Sequence, residues 1–277
     1  MRQRIILITG CSTGIGRYCA EALHKDRQWR VFASARQSSD VQTLRDAGLP
    51  DALQLDLDSS ESIQAAMAEL LHKTDGRLDA LFNNGAYGQT GAVEDLSRDT
   101  LRAQFESNVF GTQELTNAAI AVMRKNGGGR IVQNSSVLGF VCLKYRGAYN
   151  ASKYALEALS DTMRMELLGS GIDIVLIEPG PITSSFRRNA IIQFERRIDA
   201  AASVHHQTYL AMQKAWAKNS AMPFALGPEA VYRALLRALN KKSPKLRERV
   251  TMPTKVFWLL KRILPASLLD KILRRIQ

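Results

Sequence analysis

Thr9-Gly10-Cys11-Ser12-Thr13-Gly14-Ile15-Gly16 is the stretch on which the reading of this chain turns. An apolar, β-branched run, Ile5-Ile6-Leu7-Ile8, stands before it, and a helical pattern over 14–26 follows. Glycine lets a backbone turn sharply and approach a pyrophosphate closely, while a helix N-terminus offers free N–H groups and a favourable dipole. The spacing is Gly-x-x-x-Gly-x-Gly rather than the commoner Gly-x-Gly-x-x-Gly. Glycines alone also fit a plain tight turn; the position at the first strand–helix joint favours a phosphate cradle. Gly10, Ser12, Thr13, Gly14, Ile15 and Gly16 are the candidate contacts.

Outward from this turn, strand-like runs at 4–9, 30–35, 52–55, 79–83, 130–134 and 173–178 alternate with helical patterns at 14–26, 39–47, 60–73, 97–124 and 147–168. Strand-then-helix repetition requires a parallel sheet covered on both faces, an α/β doubly wound fold. Ligands in such sheets bind beyond the carboxyl ends of the strands. After Glu178 the rhythm changes at Pro179-Gly180-Pro181. A helical stretch at 187–218 interrupts the chain before Gly227-Pro228-Glu229 opens a new helix. That insertion, about 183–226, reads as a substrate lid; a surface helix pair without a role in binding is the other reading. The α/β domain is expected over 1–253, with a distinct tail over 254–277.

Twenty residues after Gly16, at the end of the second strand, stands Ala35-Arg36. An acid there would hold the ribose 2′-hydroxyl of NAD. Ala35 leaves room instead, and Arg36 supplies a planar cation for a 2′-phosphate, so NADP(H) is the expected cofactor. Asp56, beside Leu57 after the third strand, is placed to accept from an adenine amino group. Asn84 and Gly85, in Asn83-Asn84-Gly85-Ala86, put small residues where a cofactor must pass.

Tyr149 and Lys153 are four apart on a predicted helix, hence on one face, and Ser136 lies 13 residues before Tyr149, just past a strand. Carbonyl reduction needs a hydride donor and an acid for the oxygen. A free Tyr has a pKa of about 10. A cation about 5 Å away, at an effective dielectric of about 20, would lower it by about 2 units. Lys153 is that cation, helped by an oxidised nicotinamide, and Ser136 would polarise the carbonyl oxygen.

With the Gly-rich turn, the Asn-Asn pair, Ser136, Tyr149, Lys153 and Pro179-Gly180 in order, the chain over about 4–183 resembles the short-chain dehydrogenase/reductase family. Within that family it is similar to the 17-beta-hydroxysteroid-dehydrogenase-like branch and to bacterial NADP-dependent aldehyde reductases. The second likeness runs through Gly147-Ala148-Tyr149-Asn150-Ala151-Ser152-Lys153-Tyr154-Ala155-Leu156-Glu157-Ala158, Ile177-Glu178-Pro179-Gly180-Pro181-Ile182 and the ending Leu268-Leu269-Asp270-Lys271-Ile272-Leu273. The resemblance implies a Rossmann-type sheet of about seven strands. It implies that Asn108 completes a catalytic tetrad by holding a water that relays protons to Lys153. It implies that Thr183 contacts the nicotinamide amide or the diphosphate, with Pro179, Gly180 and Ile182 beside it, and that a dimer or tetramer forms through the helices at 97–124 and 147–168. One departure is the order Asn-Asn-Gly-Ala where the family has Asn-Asn-Ala-Gly, which puts the conformation of that loop in question.

Composition is that of an ordinary globular chain of 277 residues with a net charge of +12. From Arg233 onward there are 13 Lys/Arg and 2 Asp/Glu, so the basic character belongs to the tail. No base-stacking platform accompanies it, and a nucleic-acid partner is not expected. Three cysteines without a framework spacing suggest reduced thiols and a cytoplasmic setting, and the apolar run at 5–8 is too short for a secretion signal. His205-His206 lacks companions at ligand spacing, so no metal is expected. Cys142 reads as a small wall residue of the substrate pocket. Glu178 either orients the Pro179 turn or is a buried acid with a partner. Phe186, Ile191, Ile192, Phe194, Val204, Tyr209 and Met212 in the lid, with Val141, Cys142 and Leu143, suggest a lipophilic aldehyde or ketone, Arg187 and Arg188 being the features that would suit a carboxylate. The tail reads as two short amphipathic helices divided at Pro265, too short to span a bilayer. Two readings of it are open: reversible contact with an anionic membrane, or packing on the enzyme body or a partner subunit. An NADP(H)-binding sensor without turnover is the alternative to an enzyme, although a sensor has no need of Ser136, Tyr149, Lys153 and Asn108.

Overall fold

Apolar side chains alternate along the first strand, β1 (Arg4–Ile8), and go to opposite cores. Ile6 and Ile8 join one cluster, Ile5 and Leu7 the other. A sheet buried on both faces explains why its strands read as unbroken apolar runs. In the computed structural model, which describes residues 2–218 and 222–276, the remaining strands are β2 (Trp29–Ala35), β3 (Leu53–Gln54), β4 (Ala80–Asn83), β5 (Gly129–Asn134), β6 (Ile172–Glu178) and β7 (Arg247–Arg249). Their order is β3-β2-β1-β4-β5-β6-β7, and every pairing is parallel. The chain leaves β1 toward β2 on one side and later adds β4 on the other. That reversal opens a crevice at the carboxyl end of β1, where the Gly-rich turn lies.

One face is covered by α1 (Gly14–Lys25), α2 (Ser38–Asp46) and α9 (Glu229–Asn240), which contribute Leu23, Leu44, Val231 and Leu235. The other is covered by α3 (Ser60–Lys73), α5 (Thr112–Lys125) and α6 (Gly147–Glu166), through Ile63, Leu70, Leu115, Met123 and Met163. Each such side chain contributes about 1.5–3 kcal/mol on burial.

The helix expected over 97–124 is not continuous. It breaks into α4 (Arg98–Phe105), a π-helical turn at Glu106–Gly111, and α5. Gly111 closes that turn against a neighbouring segment, since a Cβ there would run into the Leu57 carbonyl oxygen. The lid segment forms α7 (Phe186–Arg197) and α8 (His206–Ala217); residues 219–221 of it lie outside the described ones. Its base is closed by a bridge between Ile182 and Leu226, with the Thr183 N–H donating to the Leu226 carbonyl at 2.8 Å. The tail forms α10 (Met252–Ile263) and α11 (Ala266–Leu273). Phe257, Leu260, Leu264, Leu269, Leu273 and Ile276 pack on 137–143, the loop that follows Ser136. Among the described residues no helix is long and apolar enough to cross a membrane.

Candidate active site

The Gly-rich turn depends on glycine at particular points. Gly10 and Gly14 sit at φ +68° and +62°, a region that disfavours other residues. A Cβ on Gly16 would lie 2.3 Å from the Gly10 carbonyl oxygen, and one on Gly10 would lie 2.7 Å from the Gly85 backbone. The first turn of α1 has no side-chain cap from Thr13 and no acidic residue, so its N–H donors are open to an anion.

Thr9 fixes the next layer. Its hydroxyl accepts from the N–H groups of Asn84 (2.9 Å) and Gly85 (2.8 Å). The Asn84 amide donates to the carbonyls of Thr9 (3.0 Å) and Gly10 (3.2 Å). A Cβ at Gly85, where the family pattern has alanine, would lie 3.1 Å from Leu57 Cδ1 and 3.2 Å from Thr9 Oγ1, a tight fit that those side chains would have to ease. Leu57 is thereby half-buried against this loop. Asp56 is half-buried, with Oδ1 accepting from the Asp58 N–H at 3.1 Å and Oδ2 without a partner among the described residues. Arg36 is exposed at the end of β2, and its guanidinium has neither hydrogen bond nor ion pair among the described residues. These groups fit a dinucleotide: uncapped N–H donors behind a glycine turn for a pyrophosphate, and a free cation at the end of β2.

Bonds then lead into the catalytic group. Asn134, at the end of β5, donates to Asn84 Oδ1 at 2.9 Å, and its carbonyl accepts from Lys153 Nζ at 2.6 Å. Lys153 is buried, and burial lowers its pKa to about 8 against the opposing charge of Glu157. Its ammonium lies 5.8 Å from the Tyr149 ring centroid. Burial raises the Tyr149 phenol to about 12, with a smaller opposing effect from its hydrogen bond with Ser136. The expectation of a lowered phenol is thus reversed in the protein alone: desolvation of the phenolate outweighs the Ser136 hydrogen bond, and the phenol is held protonated. Ser136 is itself placed by the Leu138 N–H, which donates to its hydroxyl at 3.1 Å.

Asn108 lies in the π turn, a feature frequent at functional sites. Its amide donates to the Tyr87 carbonyl (3.0 Å) and to the Ser152 hydroxyl (3.1 Å), and its Oδ1 accepts from the Tyr87 N–H (3.2 Å). Ser152 in turn donates to the Tyr149 carbonyl at 2.8 Å. Ser136, Tyr149, Lys153 and Asn108 therefore belong to one connected group at the carboxyl end of the sheet. Pro179 joins it through its carbonyl, which accepts from the Val137 N–H at 2.7 Å. Gly180 faces the Thr251 and Thr254 hydroxyls, where a Cβ would come within 2.2 and 2.9 Å. Ile182 is buried and Thr183 exposed, next to Ser184, which sits against Gly14.

Several expected pocket residues face elsewhere. Phe194 and Tyr209 are buried inside the lid's own core with Ala92 and Leu96, and Val204 is 85% exposed. Tyr209 donates to Asp95 and accepts from the Ala92 N–H, which ties the lid to the loop after β4. Phe186 alone among the lid aromatics reaches the catalytic group, 5.2 Å from the Tyr149 ring. Cys142 is exposed beside the Tyr154 hydroxyl rather than walled in. His205 meets Glu94 at 2.6 Å, and His206 is hydrogen-bonded to the Ala200 carbonyl.

The sequence reading missed the charges behind Lys153. Glu157, one turn further along α6, pairs with Arg247 at 2.9 Å. Arg247 also meets Glu178 at 3.0 Å and Asp161 at 2.7 Å, while Arg249 meets Glu178 at 3.0 Å. Glu178 is a buried acid with partners; burial, then Glu157, pushes it up to about 7. The four-residue spacing from Lys153 marked Glu157, but nothing in the sequence connected it to Arg247. Arg146, three residues before Tyr149, was also missed. It donates to the Thr90 hydroxyl, and burial, then the Arg187 charge, lowers its pKa.

A cradle for a dinucleotide and an acid–base group on one edge of a doubly wound sheet define a nucleotide-dependent oxidoreductase. The chain belongs to the short-chain dehydrogenase family, whose profile matches residues 4–193. It is 41% identical over 273 residues to the uncharacterized oxidoreductase YbbO of Escherichia coli K12, covering 98% of this chain and 94% of that one. It is 33% identical over 259 residues to human 17-beta-hydroxysteroid dehydrogenase type 1, covering 89% and 77%. A short chain dehydrogenase/reductase from Burkholderia phymatum, solved in complex with NAD, superposes with a TM-score of 0.77 at 22% identity, covering 99% and 96%. At that identity the likeness shows the fold.

Proposed function

We propose that this chain is an NADP(H)-dependent reductase of lipophilic aldehydes or ketones, akin to bacterial aldehyde reductases, with Tyr149 as its general acid and base. The observation that carries the reaction is the buried, protonated Tyr149 phenol with Ser136 bonded to it and Lys153 behind it. When bound, the nicotinamide supplies or accepts the hydride at the carbonyl carbon. Tyr149 gives its proton to the carbonyl oxygen in reduction and takes it back in oxidation, while Ser136 holds that oxygen. The Lys153 ammonium offsets the phenolate that proton transfer leaves. Both N–H donors of the Asn108 side chain are engaged by Tyr87 and Ser152, so a relay water there would rest on the main chain of the π turn.

Preference for NADP(H) over NAD(H) rests on Ala35 and on the exposed Arg36, whose guanidinium has no partner among the described residues. Lipophilic substrate choice rests on Phe186 over Tyr149 and on the apolar loop at 137–143. The free thiols suit the cytoplasm. Exposed Met165 and Leu168 at the end of α6 suit a homo-oligomer built on the α5–α6 face.

The test is NADPH consumption against octanal-like carbonyls, short polar carbonyls and keto acids. Preference in kcat/KM for the octanal-like set supports the reading; preference for short polar or anionic carbonyls refutes it. With Tyr149→Phe, NADPH should still bind while turnover falls about 10²–10⁴-fold. Binding without turnover in the wild type would leave a sensor.

A further inference from the structure

The tail helices have two apolar faces, and the enzyme body covers one of them. Phe257, Leu260 and Leu264 of the first helix and its junction, with Leu269, Leu273 and Ile276, face inward on 137–143. Met252, Val256, Leu259 and Ile263 recur at three- and four-residue intervals on another face of α10, and Leu268 and Ile272 do so on α11. All six are 37–65% exposed. At 100° per residue they form one narrow stripe on each helix.

Charges line one side of that stripe. On the same helical count Lys255 and Arg262 border it on α10, Lys271 borders it on α11, and Arg275 follows just beyond that helix. All four are exposed. Arg262 and Arg249 stack on either side of Trp258, at 3.9 and 4.1 Å from its ring centroid, which fixes an aromatic beside the basic edge. Lys261 is the exception: it turns inward to the Phe140 carbonyl and the Tyr154 hydroxyl. Between 250 and 276 there are six Lys/Arg and one acid, Asp270.

We propose that this outer face of α10 and α11 seats the enzyme on an anionic lipid bilayer, lying in the headgroup plane without crossing it. An apolar stripe with cations along its border matches the acyl boundary and the phosphate layer of such a surface. A second copy of this chain would bring the same basic border to face itself, which disfavours a symmetric pairing there. The inner face packs on the loop after Ser136, so the seated surface adjoins the wall of the substrate cleft. A lipophilic carbonyl could then enter from the bilayer without crossing water.

Full-length protein is sedimented with vesicles of phosphatidylglycerol and phosphatidylcholine, and with phosphatidylcholine alone, at low and high salt. Its mass is measured in parallel by analytical ultracentrifugation without lipid. Binding to the anionic vesicles at low salt is expected. Leu259→Ser/Ile263→Ser should lower it at least tenfold, and Arg275→Gln about fivefold. Both variants should keep the wild-type melting temperature, and Val204→Ser, an exposed apolar change between α7 and α8, should bind like wild type. Because the readout is sedimentation, it stands apart from the substrate assignment. No sedimentation of the wild type overturns the proposal, as does equal sedimentation of Leu259→Ser/Ile263→Ser. A double variant that loses a dimer in the ultracentrifuge while vesicle binding is unchanged also overturns it, in favour of a second copy.

Discussion

Lys153→Met removes a charge whose worth follows from one distance. The ammonium stands 5.8 Å from the Tyr149 ring centroid. At an effective dielectric of about 20, that separation corresponds to about 3 kcal/mol of stabilisation of a phenolate over a phenol. Converted, this is about two pKa units on Tyr149, or about a hundredfold in the fraction ready to act as a base. Burial lowers Lys153 only to about 8, so at pH 7 the wild-type amine is mostly charged and the comparison is fair. Alcohol oxidation needs the phenolate, and its rate rises as pH climbs toward the tyrosine pKa. The variant should therefore lose about a hundredfold in kcat at pH 7, and the deficit should narrow above about pH 8, where the wild-type amine gives up its own proton. A second effect is structural. The Asn134 carbonyl loses the Lys153 donor at 2.6 Å. A buried carbonyl left unpaired costs about 1–3 kcal/mol, a melting temperature lower by about 2–12 °C in a domain of this size. Steady-state oxidation across a pH series, with a thermal melt of each protein, separates the two. A loss under tenfold at pH 7, or a deficit that stays constant across pH 8, would show that Lys153 is not the cation that sets Tyr149.

Other expectations follow from contacts at the cradle and the lid. Arg36→Ala should reduce the preference for NADPH over NADH by about tenfold to a hundredfold, the worth of one charge-assisted contact; an unchanged ratio of kcat/KM values would place cofactor choice elsewhere. Gly16→Ala puts a methyl 2.3 Å from the Gly10 carbonyl. Backbone cannot yield as a flexible side chain does, so a destabilisation of about 3 kcal/mol or more is expected, with NADPH binding lost in a fluorescence titration. Tyr209→Phe removes the hydroxyl shared by Asp95 and the Ala92 N–H. That should cost about 1–3 kcal/mol in a denaturant melt and raise KM for substrate more than it lowers kcat, whereas a wild-type KM would mean the lid needs no such tie.

Much of this was legible because period and punctuation agree. Two-residue alternation in Ile5-Ile6-Leu7-Ile8, glycine where φ is positive, and the four-residue step from Tyr149 to Lys153 are local signals, and each lands where expected. β7 was not read because its residues, Arg247-Glu248-Arg249, carry charges that only buried partners explain. The π turn at 106–111 was not read, and the contact that demands glycine at 111 is with a carbonyl far off along the chain, that of Leu57. Phe194 and Tyr209 look like pocket residues in sequence; the loop at 92–96, far away along the chain, claims them first. Asn108, Ser152 and Tyr87 make the same point for the site, since their bonds span 21 and 44 positions.

The carboxylates of Glu157 and Glu178 impose an order of events on a chain made from one end to the other. Both are buried, and their cations, Arg247 and Arg249, emerge from the ribosome many residues later. Until then a closing core would trap two carboxylates near each other without the guanidinium partners they have in the finished fold, a cost of several kcal/mol per unpaired ion. The nascent domain must leave the region behind Lys153 open, wet or protonated while the first six strands are already available. Completion of the sheet and maturation of the proton-transfer centre are on this account a single step, timed by the arrival of β7.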